Sequence, residues 1–117
     1  MPLPYDPAGF AQRQLDAYNA RDVQAFVREY TADVQLFRLG EASPFLSGRE
    51  AMAAHYRDKR FNLPWLHAAL LNRMVFGNKV IDQEAVRISA DGPLLECAAI
   101  YEVCAEGICK VWFVADR

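Results

Sequence analysis

Arg73, Asp82 and Glu84 are the side chains of this chain whose types and spacing could do chemistry together. Between the arginine and the carboxylates lies Gly77-Asn78, set in strand-forming runs from Trp65 to Ser89. A two-residue loop of this kind fixes a hairpin register. With that loop Phe76 lies opposite Lys79, Val75 opposite Val80, Arg73 opposite Asp82 and Leu71 opposite Glu84. One guanidinium then meets two carboxylates on a surface that also carries Trp65, His67, Val86 and Ile88. In such an apolar field pairing is strong and protonation equilibria move. The chemistry such a set could do is that of a general base, Asp82 or Glu84, tuned by Arg73, with Tyr101 as a donor to a substrate oxygen. The same residues also fit a structural cross-strand ion pair.

The elements that must position these groups follow from the rest of the chain. Asp6-Pro7 opens a first helix with Ala8, Ala11, Leu15 and Tyr18 at helical spacing, ending near Asn19. Asp22 caps a second, with Val23, Phe26, Val27 and Tyr30, which runs to Ala32-Asp33. Val34 to Leu39 reads as a short strand. Ser47-Gly48-Arg49-Glu50 reads as a capping box opening a third helix, to about Lys59. From Pro64 onward, turns at Gly77-Asn78, Asp91-Gly92 and Ala105-Glu106-Gly107 divide a four-stranded antiparallel meander. A two-residue Asp91-Gly92 turn pairs Val86 with Cys97, Glu84 with Ala99, Asp82 with Tyr101 and Arg87 with Glu96. The last turn pairs Glu102 with Lys110, Tyr101 with Val111 and Ala99 with Phe113. The result is one α+β domain over residues 1–117, three helices on one face of a curved, mainly antiparallel sheet.

Both sheet faces are too apolar for one to stand in water. Three helices cover one, so the face carrying Leu70, Met74, Ile81, Ile100 and Trp112 is predicted to meet a second copy across a two-fold interface. A net charge of −2, with no basic cluster, gives no footprint for nucleic acid. No apolar run approaches the roughly 20 residues that span a bilayer, and MPLPYDP does not read as a secretory signal, so the expectation is a cytoplasmic protein. In that compartment Cys97, Cys104 and Cys109 are expected to be free thiols. His67 with Asp82 or Glu84 lacks metal-ligand spacing, and no metal or cofactor is expected.

The segments NARDVQAFVREYTADVQLF and SGREAMAAHYRD, and the meander ending IYEVCAEGICKVWF, resemble the nuclear transport factor 2-like superfamily, especially its SnoaL-like and ketosteroid-isomerase-like members. The resemblance implies a cone in which helices and curved sheet enclose a mostly apolar pocket, commonly with dimerisation through the sheet. With Arg38 turned inward, as the resemblance implies, and the faces set by the register, the expected ligand pocket is lined by Tyr18, Arg38, His67, Arg73 and Tyr101, with Asp82 and Glu84 as the expected catalytic carboxylates. The three chemical positions of ketosteroid isomerases fall here on Gln14, Arg38 and Ala99, so that mechanism is not expected. An arginine does not abstract a proton at neutral pH, and alanine offers none to an oxyanion. What remains is a pocket for a small, largely apolar, oxygen-bearing molecule, with cofactor-independent isomerase or hydrolase/hydratase-type chemistry. The alternative is a non-catalytic dimeric interaction module whose pocket its own side chains fill.

Overall fold

A computed structural model describes residues 2–115. Three helices, α1 (Pro7–Ala20), α2 (Val23–Arg28) and α3 (Arg49–Lys59), pack on one side of a six-stranded sheet. The strands are β1 (Tyr30–Arg38), β2 (Leu46–Ser47), β3 (His67–Phe76), β4 (Lys79–Arg87), β5 (Leu95–Cys104) and β6 (Gly107–Phe113). Their order is β2-β1-β6-β5-β4-β3, antiparallel except where β1 runs parallel to β6.

Pro7 sits at the start of α1, where its missing N–H is no loss, and Ala11, Gln14, Leu15 and Tyr18 form the buried stripe. The helix stops at Arg21, whose left-handed backbone lets Asp22 N–H bond back to Ala17 O at 3.0 Å. Asp22 Oδ1 accepts from Ala25 N–H at 3.1 Å and so caps α2. That helix is shorter than its apolar spacing predicts, because Tyr30 pairs with Ile108 and begins β1. A tertiary ladder overrides a local preference here. The predicted capping box does not form: Ser47 is committed to β2 opposite Gln35, and Gly48, at φ +93, is the residue that precedes α3.

The β3–β4 hairpin keeps the predicted register from Phe76↔Lys79 through Arg73↔Asp82. A bulge between Leu70 and Asn72 then sets Leu70, rather than Leu71, opposite Glu84. One extra residue exchanges the faces of everything before it. Leu66 and Ala68 are therefore buried among the core, whereas Trp65 and His67 are exposed. Asn19, at the end of α1, holds this arrangement by accepting from Ala68 N–H at 2.8 Å and donating to Ala68 O at 2.9 Å.

The β4–β5 pairing also differs from the sequence register. Val86 lies opposite Leu95, Glu84 opposite Cys97, Asp82 opposite Ala99 and Val80 opposite Tyr101. The connection spans residues 88–94 instead of turning at Asp91-Gly92. Pro93 has no N–H to give to a ladder, which favours the longer loop. The shift is by two residues, so every side chain keeps its predicted face. Arg87 reaches Ala90 O instead of Glu96, which accepts from Gln83 Nε2 at 2.6 Å.

The β5–β6 register is as predicted through Glu102↔Lys110, with a bulge beyond it that turns Ile108 inward in place of Cys109. That bulge brings Cys109 to Cys104 with their Cα atoms 6.1 Å apart, and the two form a disulfide. The expectation of three free thiols thus holds only for buried Cys97.

Candidate functional site

Arg73, Asp82 and Glu84 all lie on the helix side of the sheet, under α1. Arg73 donates two parallel bonds to Asp82, Nε to Oδ1 at 2.7 Å and Nη2 to Oδ2 at 3.0 Å. Its Nη1 donates to Gln12 Oε1 on α1 at 2.9 Å. Asp82 and Glu84 have zero exposure. The hydrogen bond to Asp82 raises the Arg73 pKa above the usual arginine value; burial opposes it, and the charge of Asp82, then Tyr101 and Glu84, adds to the rise. Those four groups therefore form one electrostatic cluster in a low-dielectric setting. A paired, partly buried guanidinium of this kind stays ionised across the ordinary pH range.

Beside it runs a neutral network that the sequence did not single out. Tyr30 donates its hydroxyl to Gln14 Oε1 at 2.8 Å, and Gln14 Nε2 donates to Tyr101 Oη at 3.1 Å and to Ala11 O at 3.0 Å. All three side chains are fully buried. A signal was present, since Gln14 stands on the apolar stripe of α1 among Ala11, Leu15 and Tyr18. A buried amide there requires partners.

Tyr18 packs in the core against Phe26, Tyr56 and Phe61, with ring centroids 5.5 to 6.3 Å away. Arg38 is exposed at the end of β1 and lies 4.2 Å over the ring of Phe45. Phe45 in turn meets Phe113 at 6.1 Å and His55 at 6.4 Å. His55 touches Tyr56, so this set runs from the surface at Arg38 to the aromatic core. Of the predicted site residues, Arg73, Asp82, Glu84 and Tyr101 form one cluster on the helix side, Tyr18 lies in the aromatic core, and Arg38 is exposed at the end of β1. His67 does not join them, because the β3 bulge turns it to the opposite face.

A cavity of about 430 Å³ lies against the outer face, lined by Met74, Ile81, Ala98 and Val114 with Asn72, Gln83 and Glu96 among its polar neighbours.

Residues 11–112 match the model of the SnoaL-like domain family. The chain belongs to that family. Solved structures similar to this SnoaL-like domain share its fold at low identity. A cystatin-fold protein from Novosphingobium aromaticivorans superposes with a TM-score of 0.82 at 21% identity, covering 95% of this chain and 99% of that one. A SnoaL-like protein of unknown function from Burkholderia thailandensis gives 0.75 at 20%, over 95% and 94%. A computationally designed 17-OHP binder gives 0.78 at 13%, over 97% and 94%. No curated protein matches the sequence. The helix-and-sheet cone predicted for a nuclear transport factor 2-like chain is thus the fold observed, and among the described residues no helix is long and apolar enough to cross a membrane.

Proposed function

We propose that this SnoaL-like domain binds a small, largely apolar molecule bearing an oxygen between its helices and sheet, and acts on it by acid–base chemistry of an isomerase or hydrolase/hydratase type. The observation that carries this is the burial of Asp82 and Glu84 at zero exposure beside Tyr101 and Arg73. Apolar residues of similar volume in such places are often neutral or stabilising, so stability alone does not account for the cluster. In this reading Glu84 is the general base. Asp82, with both oxygens engaged by Arg73, orients the guanidinium, and Tyr101 donates to the substrate oxygen. The designed 17-OHP binder gives the fold a precedent as a small-molecule host. The protein acts in the cytoplasm as a homodimer through the outer face, where Met74, Ile81, Ile100 and Trp112 remain the interface residues. Leu70 leaves that set, because its pairing with Glu84 puts it on the other side.

A second reading is favoured by one observation. Tyr18, Tyr30, Tyr56, Tyr101 and Phe26 are all fully buried and fill much of the interior. A non-catalytic dimeric module with a side-chain-filled cone fits that packing. Native mass spectrometry of freshly purified protein separates the two. A dimer carrying a retained small molecule, lost in Glu84→Gln or Tyr101→Phe, supports the first. A bare dimer in every preparation supports the second, and a bare monomer counts against both.

A further inference from the structure

The Cys104–Cys109 disulfide spans the end of the β5–β6 hairpin, around the exposed Ala105-Glu106 turn. It joins residues at a sequence separation of 5, on strands that the hairpin ladder already pairs. Closing so short a loop removes less freedom from the unfolded chain than closing a long one. What the bond does fix is the bulge. Val103 pairs with Ile108 and Glu102 with Lys110, which leaves Cys109 as the extra residue. In a regular ladder Cys109 would lie opposite Val103 and Cys104 opposite Ile108, with the two sulfurs on opposite faces of the sheet. The disulfide is compatible only with the bulged register.

That register also has support of its own. Ile108 is fully buried, and its N–H donates to Glu29 O at 2.9 Å. Gly107 comes so close to the end of α2 that a Cβ there would lie 2.7 Å from Glu29 O. Cys104 and Cys109 are only half-buried, so a small thiol has a path to them that buried Cys97 does not offer. Cys109 Sγ lies 3.3 Å from Glu102 O, which is an acceptor for an S–H. The hairpin end therefore accommodates disulfide and dithiol alike.

We infer that Cys104 and Cys109 form a reversible redox site, opened and closed by exchange with glutathione-type thiols, and that its oxidation pins the β5–β6 bulge. An incoming thiolate attacks Cys104 Sγ and the protein S–S bond breaks. Cys109 leaves as a thiolate, takes up a proton and donates its S–H to Glu102 O. A second thiolate attacks the small molecule's sulfur in the mixed disulfide and releases Cys104, which is protonated in turn. Two small thiols are thereby oxidised to one disulfide, and their two protons and two electrons pass to the two cysteines. In the dithiol form only the burial of Ile108 and its bond to Glu29 hold the bulge. Ile108 pairs with Tyr30, whose hydroxyl donates to Gln14, so the redox site is joined to the buried network under α1.

The test is equilibration of the purified protein in mixtures of reduced and oxidised glutathione, quenched with N-ethylmaleimide and read by mass spectrometry of intact protein and peptides. Labels on Cys104 and Cys109 are expected to appear together in one transition that reverses on reoxidation, with the far-ultraviolet circular dichroism unchanged. Cys104→Ser abolishes the transition and leaves a label on Cys109. Amide hydrogen exchange at Ile108 is expected to be about ten-fold faster in the dithiol form. Both cysteines labelled in every mixture, or neither in any, overturns the inference, since the pair is then permanently open or a fixed brace. Loss of the circular dichroism signal on reduction also overturns it, because the fold then requires the cross-link. Equal exchange at Ile108 in the two forms overturns the pinning of the bulge.

Discussion

The two faces of the sheet carry similar apolar content and meet different fates. On the helix side the ladder rows of Val80, Tyr101 and Val111, and of Asp82, Ala99 and Phe113, are sealed by α1, α2 and α3, and polar groups survive there by pairing with one another. On the outer side Phe37 stacks on Trp112 at 5.7 Å, nearly parallel, yet Met74 and Val114 remain exposed beside an open cavity. Burial turns the same alternating pattern into a sealed, internally paired polar cluster on one side and leaves a partly exposed apolar face on the other, the face proposed above to associate.

The sharpest way to break this contrast is to remove the cation from the inner face. Arg73→Met leaves the Asp82 carboxylate buried without its bidentate donor and is expected to cost about 3–5 kcal/mol in urea unfolding. Arg73→Met with Asp82→Leu recovers most of that loss if the pair is not needed for folding, and a double variant no more stable than the single one refutes the account. A smaller effect is expected in the neutral network. Gln14→Leu takes the acceptor from the Tyr30 hydroxyl and a donor from Tyr101, at a cost of about 1–3 kcal/mol by the same measurement. The outer face sets the lower end of the scale. Met74→Asp is expected to change monomer folding by no more than about 0.5 kcal/mol. In sedimentation it shifts the protein toward monomer, and an unchanged dimer moves the interface off this face.

Local sequence determined much of this. Pro7 and Asp22 place the first two helix starts, Gly77-Asn78 sets the hairpin that joins Arg73 to Asp82, and the Glu102–Lys110 pairing survives intact. These depend on interactions within a turn or across one tight loop, where few alternatives compete. The assignments of side chains to faces also survive a two-residue slip of β4 against β5, because the strand period is two.

Only the tertiary structure decided the rest. The Leu71 bulge, which sends His67 outward, is held by Asn19 from a helix some fifty positions earlier in the chain. The β1–β6 pairing claims Tyr30 for a strand and Ser47 loses its cap to β2, while the disulfide depends on a bulge that redirects Cys109. Each is a choice between nearly balanced local states, tipped by a hydrogen bond or ladder from a distant segment. Residue spacing therefore determined which groups could share the helix side, and three-dimensional packing decided that Gln14, Tyr30 and Tyr101 would form one network there and that Arg38 would lie over Phe45.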